Sequence, residues 1–250
     1  MENKVVLITG GGKGIGFGVA NAFAKEGYDI VITGRTKSTL DKAKDELEDK
    51  YDVQVLAIVA DGGVEEQVKD AMSKTIDKFG RLDVLINNAQ ASKSGVLLED
   101  HSKEDFDLAI NTGLYGTFFF MREAFPHLKE SKGSIINFAS GAGLGGELGQ
   151  SSYAASKEGI RGLSRVAANE WGQHGINVNV VCPLVMTPQL EQWREEYPEI
   201  YEQTIKSIPL KRFGDAEDDV GRVCVFLGSD DANYISGETI SVQGGGSLRP

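Results

Sequence analysis

Val5-Val6-Leu7-Ile8-Thr9-Gly10-Gly11-Gly12-Lys13-Gly14-Ile15-Gly16 is the stretch on which the fold turns. An aliphatic, β-branched run without polar alternation reads as a strand covered on both faces. It ends in a glycine-rich turn, and helical spacing of apolar residues follows at once over Gly16–Glu26. The turn is spaced G-x-x-x-G-x-G (Gly10, Gly14, Gly16) and does not match G-x-G-x-x-G in any frame. The underlying physics is shared. Glycine permits a tight turn and close approach of backbone to a phosphate, and the free N–H groups of the next helix attract an anion. Gly10, Gly12, Lys13, Gly14, Ile15 and Gly16 are therefore candidate cofactor contacts.

Outward from this turn the same rhythm repeats. Strands are predicted at Lys4–Thr9, Asp29–Thr33, Val53–Val59, Asp83–Ile86, Ser134–Phe138, Asn177–Val181 and Thr239–Val242. Helices are predicted at Gly16–Glu26, Lys37–Lys50, Val64–Phe79, Lys103–Lys129, Ser152–Gly172 and Ala216–Gly228. Strand–helix alternation with right-handed crossovers predicts an α/β chain: a single-domain, Rossmann-type, doubly wound parallel sheet of about seven strands, with helices on both faces. No Pro/Gly/Ser-rich linker divides residues 1–250, so one domain is expected. Leu184–Arg212 breaks the rhythm with Pro188, Pro198, Pro209, Trp193, Tyr197 and Tyr201. An insertion after a strand lies at the carboxyl edge of the sheet, where ligands bind, and a small helical substrate lid is predicted there.

Composition excludes several classes. The 250 residues carry a formal net charge of −11, which argues against nucleic acid or an anionic membrane surface as the main partner. Cys182 and Cys224 sit in apolar runs and read as buried free thiols. His101, His127 and His174 are scattered without metal-ligand spacing, so no metal site is expected. The apolar run near the N-terminus is too short for a signal peptide, and no stretch is apolar enough over about 18 residues to span a membrane. A cytoplasmic enzyme is expected.

The end of the second strand selects the cofactor. An acidic residue there would bind a ribose 2′-hydroxyl. This chain has Thr33-Gly34-Arg35 instead. A guanidinium at Arg35, with Lys13 in the glycine turn, suits a 2′-phosphate and so NADP(H). Further along, Tyr153 and Lys157 are spaced i, i+4 on one helical face, and Ser140 lies just past a buried strand. Hydride exchange at a carbinol carbon needs a proton partner for the hydroxyl. A phenol is too weak a base near neutrality, and an ammonium nearby is expected to lower its pKa. Ser140 would hydrogen-bond the oxygen on which charge develops.

With Thr9-Gly10 to Gly16, Asn87-Asn88-Ala89, Asn111, Ser140, Tyr153 to Lys157, Pro183 to Thr187, and Ser236-Gly237 to Gly244-Gly245, the chain resembles the short-chain dehydrogenase/reductases over nearly its whole length. The resemblance implies a catalytic tetrad of Asn111, Ser140, Tyr153 and Lys157, with Asn111 holding a water that relays protons from Lys157 to solvent. It also implies cofactor contacts from Asp61, Gly62, Asn88, Ala89, Tyr153, Lys157, Pro183, Val185 and Thr187. It implies a homotetramer, with interfaces from Lys103–Lys129 and Ser152–Gly172 and from the C-terminal strand and tail.

Three positions depart from the family pattern. Gln90 replaces the usual glycine after Asn-Asn-Ala and is expected to touch substrate. Leu184 replaces the glycine after Pro183, in a loop one residue short. Gln243 replaces an aspartate, with little consequence expected. Segments Asn87–Ser92, Phe138–Leu144, Glu158–Ala168 and Val181–Thr187 are similar to those of the bacterial NADP-dependent 12α-hydroxysteroid dehydrogenase subfamily, which acts on bile acids. That resemblance implies hydride exchange between NADP(H) and a steroid or bile-acid hydroxyl. Gln90, Ser140, Leu144, Tyr153, Leu184, Met186 and Trp193 become candidate substrate contacts around a broad apolar cleft. The alternative is a reductase of another carbonyl, such as a 3-oxoacyl thioester on a carrier protein. That reaction would call for a basic docking patch, against the charge of −11.

Overall fold

The computed structural model describes residues 3–246, and the three-layer expectation holds there. Seven parallel strands form one sheet in the order β3-β2-β1-β4-β5-β6-β7. They are β1 (Val5–Thr9), β2 (Asp29–Gly34), β3 (Val55–Val59), β4 (Val84–Asn87), β5 (Ser134–Phe138), β6 (Asn177–Pro183) and β7 (Thr239–Val242). The strand order reverses between β1 and β4, which opens a crevice at their carboxyl ends.

Alternation along the strands builds two cores. Val6, Ile8, Ile30, Ile32, Val84, Ile86, Ile136 and Phe138 point to one face, beneath α1 (Gly14–Lys25), α2 (Lys37–Lys50) and α10 (Arg222–Leu227). Val5, Leu7, Val31, Leu85 and Ile135 point to the other, beneath α3 (Glu65–Phe79), α5 (Gly116–Ser131) and α7 (Ser151–Trp171). Every residue of β1 is buried, as its apolar sequence predicted. Each fully buried Leu or Ile contributes roughly 1.5–3 kcal/mol.

Two predicted helices contain wider turns. The Lys103–Lys129 prediction resolves into α4 (Lys103–Ala109), a π-helical turn (Ile110–Tyr115) and α5, all in right-handed backbone. The Ala216–Gly228 prediction begins with a π-helical turn (Ala216–Gly221) before α10. Hydrophobic periodicity is nearly the same for both helix types, so sequence spacing could not separate them. A short helix the sequence reading missed, α6 (Gly141–Gly145), follows β5.

The segment predicted as a lid folds as a pair of helices, α8 (Pro188–Glu196) and α9 (Pro198–Ser207). Backbone hydrogen bonds from Gly214 N to Leu184 O (2.9 Å) and from Met186 N to Gly214 O (3.0 Å) close its base. The excursion therefore runs to Gly214, slightly beyond the expected Arg212. Trp193 packs edge-on against Tyr201, which packs on Phe213, and these rings tie the two helices together.

A buried polar chain crosses the sheet below the crevice. Asn87 Nδ2 donates to Asn137 Oδ1 (2.8 Å), Asn137 Nδ2 to Ser164 Oγ (2.9 Å), and Ser164 Oγ to the Ile160 carbonyl (2.7 Å). It couples β4, β5 and α7 by directional bonds where apolar packing alone would permit sliding. Asn137→Leu leaves the buried Asn87 amide without its acceptor. It is expected to lower unfolding free energy by about 1–3 kcal/mol in denaturant titration.

Candidate active site

The glycine turn and three strand ends frame a cleft of about 410 Å³, walled by Gly10, Gly12 to Ile15, Thr33 to Thr36, Ala60 to Gly62, Asn88 to Ala91, Thr112 and Thr187. Gly14 has φ of +57°, and a Cβ there would meet nothing within 4 Å, because it would project into the cleft. A Cβ on Gly16 would overlap the Gly10 carbonyl oxygen, so only glycine lets α1 start this close to β1. The first turn of α1 carries no acidic residue and no side-chain cap, so its N–H groups remain free for an anion.

Thr9 holds the two halves of the crevice together. Its hydroxyl accepts from both Asn88 N and Ala89 N at 3.0 Å, while Asn88 Nδ2 donates to the Thr9 carbonyl at 3.0 Å. Lys13 and Arg35 are exposed on the cleft wall, and neither forms an ion pair among the described residues. Asp61 Oδ1 accepts from Gly63 N (2.9 Å), which shapes the wall at the end of the third strand. The cradle therefore fits a dinucleotide: an open glycine turn for the pyrophosphate, the cations Lys13 in that turn and Arg35 beyond β2, and Asp61-Gly62 opposite.

Three of the four expected catalytic residues come together. Ser140 caps α6, accepting from Ala142 N at 3.2 Å, and hydrogen-bonds the Tyr153 phenol. Lys157 is fully enclosed, and its ammonium donates to the Phe138 carbonyl at the end of β5 (2.7 Å). The same ammonium lies 5.6 Å from the centre of the Tyr153 ring.

The expected depression of the phenol pKa is not found in this arrangement. Burial raises Tyr153 above its ordinary value, and the Ser140 hydrogen bond only partly opposes this. It is the Lys157 ammonium that shifts down, to about 8, because burial disfavours its charge.

Asn111 lies on a different element. It sits in the π-helical turn with its residue exposed and its carbonyl packed against Gly63, while its neighbour Thr112 faces the cleft.

Other expectations are corrected in detail. The Val185 side chain is buried in the core at 4% exposure, so any cofactor contact there comes from backbone. Thr187 does face the cleft, and its hydroxyl caps α8 by accepting from Leu190 N (3.3 Å). Pro183 ends β6, and Leu184 is pinned by its backbone to Val242 O (2.9 Å). Leu144 packs on Ala139, Val180 and Cys182. Gln243 matters more than expected. It is buried, donates to the Cys182 carbonyl (3.3 Å), and its amide lies against Gly141, next to Ser140. Gln90 lines the cleft, but its amide is turned inward.

Residues 10–247 match the family model described as enoyl-(acyl carrier protein) reductase. The chain belongs to the short-chain dehydrogenase/reductase family. It is 58% identical over 255 residues to a 12α-hydroxysteroid dehydrogenase from Clostridium sp., covering 100% of this chain and 98% of that protein. It is 37% identical over 250 residues to a 3-oxoacyl-[acyl-carrier-protein] reductase from Thermotoga maritima, covering 98% of each. The crystal structure of levodione reductase superposes with a TM-score of 0.90 at 34% identity, over 97% of this chain and 96% of that one. This short-chain dehydrogenase/reductase is thus an oxidoreductase of a family that uses nicotinamide cofactors. Among the described residues no group of His, Cys, Asp or Glu is arranged to hold a metal, and no helix is long and apolar enough to cross a membrane.

Proposed function

We propose that this enzyme exchanges a hydride between NADP(H) and a secondary alcohol or ketone of a steroid or bile acid, at the 12α-hydroxyl. The observation that carries the reading is the full-length 58% identity to a 12α-hydroxysteroid dehydrogenase. Ser140, Tyr153 and Lys157, gathered at the end of β5, supply the matching chemistry.

When bound, the nicotinamide supplies the hydride acceptor or donor. The chain supplies everything else. Gly14, Gly16 and the start of α1 hold the pyrophosphate, and Lys13 and Arg35 hold the 2′-phosphate. Tyr153 exchanges the hydroxyl proton, and Ser140 shares the charge on the substrate oxygen. Lys157, positively charged below about pH 8, attracts negative charge forming on Tyr153 and is placed to grip the nicotinamide ribose. Leu144, Leu184, Met186 and Trp193 line the apolar side under the lid.

Exposed apolar side chains on two helical faces expected to associate support a homotetramer: Tyr115 and Phe118 within Lys103–Lys129, and Val166 on α7. Cys182 and Cys224, both buried and outside any disulfide, are in keeping with a reducing, cytoplasmic setting.

The test is reduced-cofactor absorbance with purified enzyme, NADP⁺ or NAD⁺, and bile acids that differ at single hydroxyl positions. Turnover confined to 12α-hydroxylated substrates supports the proposal. No turnover of any of them, with turnover of a 3-oxoacyl thioester instead, overturns it. Arg35→Ala reads the cofactor separately. It is expected to weaken NADP(H) binding by roughly 1.5–3 kcal/mol and leave NAD(H) nearly unchanged, since one charge-assisted pair is lost. Equal effects in titration of both cofactors would remove Arg35 from the phosphate site.

A further inference from the structure

We propose that Gln243 is a positioning residue of the reaction: its carboxamide, wedged between the backbone at Gly141 and the Cys182 carbonyl, keeps the Ser140 hydroxyl on Tyr153. The proposal rests on Ser140 and Tyr153 acting on the substrate oxygen.

The first observation is the weakness of the element that carries Ser140. Ser140 is the N-cap of α6, whose five residues, Gly141-Ala142-Gly143-Leu144-Gly145, include three glycines. Glycine is among the poorest helix formers, and a helix this short does not form on its own propensity. Support from outside α6 therefore decides where the Ser140 hydroxyl points. Two side chains occupy the places of missing Cβ atoms. A Cβ on Gly143 would lie 2.9 Å from Glu158 Oε1, on α7. A Cβ on Gly141 would lie 2.7 Å from Gln243 Nε2 and 3.0 Å from Gln243 Oε1. Gly141 directly follows Ser140, so Gln243 backs the peptide that turns Ser140 into the helix.

The second is that Gln243 is itself held. It is buried just past β7, and its Nε2 donates to the Cys182 carbonyl on β6 (3.3 Å). The backbone around it is tied as well. Val242 O accepts from Leu184 N (2.9 Å), Gln243 O from Gly246 N (2.9 Å), and Gly244 O from Leu210 N (3.1 Å). An amide fixed at its side chain and on both sides of its backbone is a rigid stop, not a loose tip that α6 could push aside.

The third is where the Cys182 end leads. Cys182 shares a small apolar cluster with Ala139, the residue before Ser140, and it bears electrostatically on both Tyr153 and Lys157. Gln243 thus joins the residue after Ser140 to a strand end that packs beside the residue before it.

The consequence is chemical. The Ser140 hydrogen bond favours the phenolate of Tyr153 against the burial that raises it. The other groups that bear on the phenol are Cys182 on β6 and Glu147 beyond α6, which both raise it, and the Lys157 ammonium on α7, 5.6 Å from the ring centre. Without the stop at Gly141, Ser140 drifts. The phenolate then loses its donor, and the substrate oxygen loses the hydroxyl that shares its charge.

The test is single-turnover hydride transfer by full-length Gln243→Ala, Ser140→Ala and doubly substituted enzymes, with whichever secondary alcohol and cofactor the wild type uses. Failure of the steroid reading therefore leaves this test standing. Gln243→Ala is expected to slow hydride transfer at least about fivefold, with cofactor Kd within about twofold of wild type. It is also expected to move the limb of the rate–pH profile for alcohol oxidation to higher pH, because the phenol rises unopposed. In the Ser140→Ala background the same change should cost less than about twofold, since it acts through Ser140. A smaller loss with Gln243→Ala, an unmoved limb, or equal losses in the two backgrounds overturns the proposal. A Ser140→Ala enzyme with the wild-type rate overturns the role of Ser140 itself, and the proposal with it. If Gln243→Ala does not fold, Gly141→Ala decides it by placing a methyl where the amide stands. The same slowing and the same shift are expected, and a wild-type rate with an unmoved limb overturns the proposal.

Discussion

The Tyr153→Phe enzyme is expected to lose about 10²–10⁴ in kcat while binding cofactor almost as wild type. The change deletes one oxygen. Phe keeps the ring, and Lys157 keeps its bond to the Phe138 carbonyl (2.7 Å). What disappears is the proton exchanged with the substrate oxygen, and with it the hydrogen bond to Ser140. Because burial raises the phenol, Tyr153 is protonated at neutral pH and is ready to donate in the ketone-reducing direction. Alcohol oxidation needs it to accept, so the oxidation rate of the wild type should climb with pH into the alkaline range. Stopped-flow or steady-state rates, with cofactor binding followed by nucleotide fluorescence, provide the check. A Tyr153→Phe enzyme with near wild-type kcat would remove the phenol from the chemistry.

Lys157→Met is expected to produce a more stable and nearly inactive protein. Burial holds the ammonium at a pKa of about 8, below the 10.5 of an unhindered lysine. A depressed lysine pKa means that the unfolded chain binds more protons between pH 8 and 10.5. Stability therefore rises with pH across that window, and the destabilisation is complete below it. By linkage the enclosed charge costs about 3 kcal/mol at pH 7. Met fills similar volume without charge, but leaves the Phe138 carbonyl without its donor, which takes back about 1 kcal/mol. The net expectation is a gain of about 1–2 kcal/mol, or a few degrees in Tm, that shrinks as pH approaches 10. Catalysis falls by about 10² or more, because the charge that favours phenolate is gone. Thermal melts across pH 6 to 10 beside turnover assays make the measurement. A Met variant less stable than wild type at every pH would show that Lys157 contributes more to packing than its charge costs. The same residue illustrates why active sites are drawn from destabilised positions.

The fold was legible because its determinants are local. The Val5–Thr9 run, the glycines after it, and the alternation of short apolar runs with helical spacing each dictate backbone state within a few residues. The right-handed crossover rule then leaves little freedom in strand order. Ser140, Tyr153 and Lys157 were legible for a similar reason: a helical i, i+4 pair and a strand end can be placed from spacing alone.

What escaped the linear reading depends on contacts between distant segments. The π-helical turn at Ile110–Tyr115 shares its apolar periodicity with an ordinary helix, yet it brings Gly113 against α7. Gln243, expected to be inconsequential, is buried against Gly141 only because β7 pairs with β6. The Tyr153 pKa was expected to fall beside an ammonium. It rises because enclosure by the fold outweighs the Ser140 hydrogen bond that favours the phenolate. By itself the sequence determined strand, turn and helix, the parallel order of the sheet, and three residues that meet at its edge. Only the tertiary structure decided which way their pKa values move. Periodicity encodes the direction of a side chain relative to its own backbone, whereas burial and partnership are set by every other part of the chain.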